Sequence, residues 1–173
     1  MLHAIVIDNG IVGLDRYFQN NEKITYHFEP VVADFKPNLE PFDLLLVPNG
    51  TDQVAMAKIK PQVHDFLASG KTLFCFDGWF TDWLPGNQWV MDNSKKTIDI
   101  RYRINTDRYH LFEKVNVEAF IFSNGISGWW ACGYIEAAAE ADVVLEDTWQ
   151  RPIMVLDEKT TKGRIFMTAS GPL

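Results

Sequence analysis

The stretch from Pro61 to Trp83, PQVHDFLASGKTLFCFDGWFTDW, constrains the fold more than any other part of the chain, because it reads in unbroken order as helix, glycine stop, buried strand and acidic turn. Val63, Phe66 and Leu67 fall at the three-and-four spacing of one helical face, and Gly70 suits a left-handed C-cap. Thr72 to Phe76 is a continuous apolar run, as parallel strands show when both faces are covered. Asp77-Gly78 then makes a sharp turn. In open α/β sheets ligands bind beyond the carboxyl ends of the strands, so a site is expected at this turn.

The rest of the first half alternates strand and helix. Leu2 to Ile7 reads as a first strand, the segment around Leu14 to Phe18 as a short helix or turn, Lys23 to Phe28 as a second strand and Phe42 to Val47 as a third. Pro48-Asn49-Gly50-Thr51-Asp52 is a turn in which Thr51 or Asp52 caps the next helix. Pro61 divides that helical region into Gln53 to Ile59 and Pro61 to Ser69, since proline is tolerated in a first turn and not in a helix interior. This order implies a parallel, flavodoxin-like α/β sheet with right-handed crossovers and helices on both faces.

The second half is less regular and is expected to add an antiparallel extension. Thr97 to Ile104 alternates with Ile98, Ile100, Tyr102 and Ile104 on one face, which predicts a half-exposed strand at an edge or in an added hairpin. Ala119 to Phe122, Val143 to Glu146, Ile153 to Leu156 and Arg164 to Thr168 are further strand candidates. The last two are expected to pair as an antiparallel hairpin across the charged turn Asp157 to Gly163. No repeat or low-complexity linker divides the 173 residues, so one domain over 1–173 is expected, and a chain of that length buries roughly 70% of its unfolded surface.

The net charge is −7, with 23 acidic against 16 basic residues, which argues against nucleic acid as a partner. No apolar run reaches the roughly 20 residues that cross a bilayer, and MLHAIVIDNG lacks a basic leader, so no membrane contact and a cytoplasmic location are expected. The four histidines, His3, His27, His64 and His110, show no ligand spacing, and Cys75 and Cys132 suggest neither a disulfide framework nor a metal site. No cofactor and no metal are expected.

Four segments together, AIVIDNG at the amino end, FDLLLVPNG, FLASGKTLFCFDG and GRIFMTASG, resemble the class I glutamine amidotransferase-like superfamily, in particular its ThuA-like, non-amidotransferase branch. The resemblance implies a nucleophilic cysteine at the elbow after the strand Thr72 to Phe76, and a histidine with an acidic partner near the last strand. Here the elbow falls on Asp77, or on Phe76 if the alignment slips by one, and Ser170-Gly171 brings no histidine. Gly50 matches the loop glycine that helps form the oxyanion hole. The resemblance therefore implies a domain without glutamine amidohydrolase activity.

The candidate site residues follow from these readings. Asp77 is the candidate catalytic group, as nucleophile, general base or metal ligand, against the plainer role of accepting backbone N–H groups in its turn or capping the next helix. Asp8 ends the first strand and is expected in the same crevice, where Asp8 and Asp77 would suit a hard cation, although Asp8-Asn9-Gly10 is equally a good turn. The ligand-binding rim is expected to comprise Asp8, Asn9, Gly50, Thr51, Asp77, Gly78, Trp79, His110, Trp129 and Trp130. Cys75 reads as core filler, whereas Cys132 stays open between a reactive and an ordinary thiol. Trp79, Trp83, Trp89, Trp129 and Trp130 read as rim seals, a subunit interface or a ligand pocket, with the interface favoured over the pocket. Arg101 and Arg103 read as a solvated strand face and Arg108 as an anion-binding alternative.

The leading expectation is a catalytically silent domain that binds a small polar ligand or a protein partner at its strand-end rim and forms homo-oligomers. One alternative is a hydrolase or carbohydrate-related enzyme using Asp77 with Asp8, Glu136 or His110. The other is a structural homo-oligomer joined through tryptophan-rich surface.

Overall fold

The computed structural model of the chain describes residues 1–122 and 131–170. Trp129 and Trp130 lie outside the described residues. Among the described residues ten strands and four helices occur in the order β1 (Leu2–Asp8), α1 (Leu14–Tyr17), β2 (Ile24–Pro30), β3 (Leu44–Val47), α2 (Gln53–Lys58), α3 (Lys60–Ala68), β4 (Thr72–Cys75), β5 (Gln88–Met91), β6 (Tyr102–Ile104), α4 (Ala119–Phe122), β7 (Gly133–Glu136), β8 (Asp142–Asp147), β9 (Pro152–Asp157) and β10 (Arg164–Thr168).

Eight of the strands form one sheet in the order β2-β1-β3-β4-β10-β9-β8-β6, and β5 pairs with β7 in a separate two-stranded sheet. The five strands from β2 to β10 run parallel, and β9, β8 and β6 extend the sheet antiparallel. The hairpin of β9 and β10 forms as the sequence predicts, with Ile165 opposite Asp157 and Thr168 opposite Met154. All five parallel strands therefore end on the same edge of the molecule, which is where the residues after β1, β2, β3 and β4 gather.

Strand alternation sends Ile5, Ile7, Leu45, Val47, Leu73, Cys75, Ile165 and Met167 to one face, all essentially inaccessible, against Met56, Ile59, Val63, Phe66 and Leu67 of the α2–α3 region. Full burial of each such aliphatic or aromatic side chain contributes about 1.5–3 kcal/mol. Asp52 starts α2 by accepting from the N–H groups of Val54 at 2.8 Å and Ala55 at 3.0 Å, and Pro61 stands in the first turn of α3. The opposite face holds Ala4, Val6 and Leu46 under Leu14 of α1.

Helices on both faces are only partly present. α1 is a single turn, and residues 31–43, where a crossover helix would lie between β2 and β3, contain no helix. Pro37 and Pro41 lack the N–H donors a helix there would use. Two further expectations are corrected. Only Tyr102–Ile104 of the segment 97–104 is strand, because Thr97–Asp99 forms a 3-10 turn whose Asp99 carbonyl accepts from the Thr148 hydroxyl at 2.7 Å. Ala119–Phe122 is helical, since the Asn116 side chain accepts from the Glu118 N–H at 3.1 Å and directs the chain into a turn.

The sheet of β5 and β7 has no counterpart among the predicted elements. Gly133 makes it possible, because a Cβ there would stand 2.0 Å from the Val90 carbonyl oxygen.

Candidate functional site

The rim is built from four consecutive turns. After β1, Asp8 Oδ1 accepts from the Gly10 N–H at 2.8 Å and Asn9 Oδ1 from the Ile11 N–H at 3.1 Å, so both side chains shape their own turn. The Asn9 amide also donates to the Asn49 carbonyl, which fastens the first turn to the one after β3. Thr51 is buried, its hydroxyl donating to the Pro48 carbonyl at 2.6 Å, and is therefore part of the turn's frame and not of its surface. A cleft of about 350 Å3 opens between these turns, lined by Asp8, Asn9, Gly10, Pro30, Val31, Gly50 and Asp52.

The elbow after β4 lies beside that frame. The Phe76 N–H donates to the Val47 carbonyl at 3.0 Å, carrying the strand pairing one residue past β4, and Gly78 turns the chain with φ +85° beside the Asn49 side chain. Asp77 is half-buried, yet its Oδ1 is fully enclosed and has no hydrogen-bond partner among the described residues. Burial pushes its carboxyl up to about 6. An enclosed acceptor left without a donor costs about 1–3 kcal/mol, but Asp77 does not line the cleft, and its Oδ1 meets a donor only if the elbow moves.

Asp8 and Asp77 leave from strands separated by β3, which places their backbones about 10 Å apart, two strand spacings. Among the described residues no group of three or more His, Cys, Asp or Glu side chains is placed to hold a metal ion. His110 is far from the rim. It follows Arg108, which pairs with Asp142 at 2.8 Å and with Glu158, near the amino ends of β8 and β10 and so at the opposite end of the sheet. That pairing also occupies the Arg108 guanidinium. Glu136 lies exposed on β7 opposite Gln88.

Trp79, Trp83 and Trp89 are buried, so these three form core and not surface. The Trp83 indole donates to Gln53 Oε1 at 3.0 Å, while the enclosed indole nitrogens of Trp79 and Trp89 have no partner among the described residues. Cys75 is buried with its thiol against the Phe76 carbonyl at 3.2 Å, and burial followed by the nearby Asp77 charge raises its pKa well above the ordinary value. It is packed as a thiol and is not a nucleophile. Cys132 is exposed in a second cleft of about 380 Å3, which also takes in Lys95 and Arg151. Arg151 there is held by Asp92 at 2.6 Å and Asp147 at 2.7 Å.

Two features escape a reading of the sequence. Asn49 joins the turns after β1, β3 and β4, and the Asn-Gly pair that marks its turn was the available signal. Tyr102 receives the Ala131 N–H at 2.8 Å and is hydrogen-bonded to Ser170 at the end of β10, with burial pushing its phenol up to about 12. No local signal links those three residues.

No protein-family model matches the sequence, and no curated protein matches it. Solved structures do resemble the fold. A cytoplasmic protein of Salmonella typhimurium LT2 is 12% identical with a TM-score of 0.55, over 87% of this chain and 71% of that one. A second cytoplasmic protein of Salmonella typhimurium, also 12% identical with a TM-score of 0.55, matches over 100% of this chain and 89% of its own. The β-galactosidase of Bacillus circulans sp. alkalophilus, 14% identical with a TM-score of 0.56, matches 99% of this chain, which spans only 28% of that enzyme. At these identities the likeness is one of fold. Among the described residues no helix is long and apolar enough to cross a membrane.

Proposed function

We propose that the chain is a catalytically silent relative of the class I glutamine amidotransferase-like domains, of the ThuA-like kind, whose parallel-strand rim binds a small polar ligand through Asp77. The strand order 2-1-3-4 followed by β10 is the flavodoxin-like order, which supports this kinship. The observation that carries the reading is the elbow itself. It presents a carboxylate with an enclosed, partnerless oxygen where the relatives' chemistry requires a thiolate, while the adjacent Cys75 is sealed in the core. A ligand that donates a hydrogen bond, such as a hydroxyl or an amine, suits that oxygen once the elbow shifts to uncover it, because Oδ1 is closed to solvent in this structure. The setting is cytoplasmic.

The experiment has two arms. Purified protein incubated with glutamine is expected to release no ammonia, and turnover that persists after both cysteines are replaced would end the proposal. A thermal-shift panel of polyols, sugars and amines is expected to yield compounds that stabilise the wild type and lose that effect in Asp77→Asn. Equal stabilisation of both proteins would remove Asp77 from the site.

A second reading is a hydrolase or carbohydrate-related enzyme in which Asp77 moves a proton. It is favoured by one observation, the carboxyl pushed up to about 6, a range suited to general acid–base work near neutral pH. Generic ester, phosphate and glycoside substrates, with Asp77→Asn as the control, separate it from the silent domain.

A further inference from the structure

The turns that frame the rim also carry exposed apolar side chains. Val12 is 98% exposed, Val54 64%, Phe80 63%, Val32 59% and Ile11 39%, and these follow β1, β3, β4, β2 and β1 respectively. Single exposed apolar residues are ordinary, but a group of them at one end of a sheet marks an interaction surface. Their turns are fastened together. Asn9 donates to the Asn49 carbonyl, Ile11 approaches Gly50, Phe80 approaches Gly78, and the Thr81 hydroxyl donates to the Gln53 carbonyl at 3.0 Å, next to Val54. The apolar crown is thus held on a braced frame.

The rim turns themselves carry charge of one sign, bordered by two cations, Arg16 of α1 against Gly13 and Lys60 of α3 against Asp82. Residues 8–13, 30–32, 48–54 and 76–82 contain Asp8, Asp52, Asp77 and Asp82 and no lysine or arginine. Asp82 is engaged by Lys60 at 2.8 Å, and the others carry no ion pair among the described residues. A second copy of the same rim would bring carboxylates against carboxylates, and an anionic lipid surface would meet the same repulsion.

We propose that this rim docks a protein segment of basic amphipathic character, one that places lysine or arginine among apolar side chains so that the apolar groups cover the crown and the cations meet Asp8 and Asp52. The segment's apolar face supplies the contact area and its charges supply register and rate of encounter. This inference goes beyond small-ligand binding. It needs the rim to be open but does not need Asp77 to hold a ligand.

The test uses a fluorescently labelled amphipathic helical peptide of leucine and lysine, a leucine and glutamate peptide of the same pattern, and light scattering of the protein alone. The Leu/Lys peptide is expected to bind, more weakly at high salt, and Val12→Ser combined with Val54→Ser is expected to lower its affinity by about tenfold or more. The matched pair Ile104→Ser and Leu111→Ser, exposed and remote from the rim, leaves affinity unchanged, and Asp77→Asn retains binding even if the small-ligand reading fails. The proposal is overturned if the combined Val12→Ser and Val54→Ser variant binds like wild type, if the Leu/Glu peptide binds equally well, or if the rim instead mediates a dimer that this combined variant dissolves.

Discussion

The Cys75 thiol is buried close to the Asp77 carboxylate two residues further along, and burial followed by that charge raises the thiol pKa well above its ordinary value. Cys132, in contrast, is exposed. A thiol reagent at neutral pH is therefore predicted to modify one cysteine in the native protein and the second only on unfolding, with Cys132→Ser abolishing the native reaction. Rapid native modification of Cys75 would show that the elbow is open to solvent.

Asp77 also sets a pH dependence of stability. Its carboxyl is raised from 3.8 to about 6 on folding, so the native state holds the proton more tightly than the unfolded chain. The stabilisation from that proton is complete below 3.8 and is lost as pH rises through about 6. After allowance for partial exposure, the loss is about 1–2 kcal/mol. Asp77→Asn is predicted to be more stable than wild type at neutral pH by about this amount, with the difference shrinking at acid pH, as measured by urea unfolding.

Asp52 serves the helix and the rim at once. Its Oδ1 satisfies the Val54 and Ala55 N–H groups, so Asp52→Ala is predicted to cost about 1 kcal/mol in denaturant unfolding, and Asp52→Asn much less.

Gly133 is required by contact and not by dihedral. Because a Cβ there would meet the Val90 carbonyl oxygen at 2.0 Å, Gly133→Ala is predicted to destabilise the protein by about 3 kcal/mol or more and to loosen β5 from β7. Amide hydrogen exchange at Val90 and Tyr134 reads this directly.

The parallel half of the molecule was legible because its signals are local. The helical face of Val63, Phe66 and Leu67, the left-handed Gly70 at φ +84° and the Asp52 cap each lie within a few residues of what they specify. The second half depends on partners distant in sequence. β5 and β7 pair only because Gly133 lets two backbones approach, and Ala119–Phe122 is short and apolar enough for strand or helix until Asn116 decides. At the site, the elbow position of Asp77 could be read from the strand-and-turn pattern. The bracing role of Asn49 could not, since it follows from β3 lying between β1 and β4. The burial of Trp79, Trp83 and Trp89 was equally hidden, because an indole serves a core and a surface alike.

The most direct test of the account is a carboxyl-carbon NMR titration in which Asp77 is assigned by its disappearance in Asp77→Asn. An enclosed, partnerless carboxylate at the strand-end elbow predicts a midpoint near 6, whereas a midpoint at or below 3.8 would mean that Asp77 is solvated or already paired, and that the rim has no acceptor waiting for a ligand.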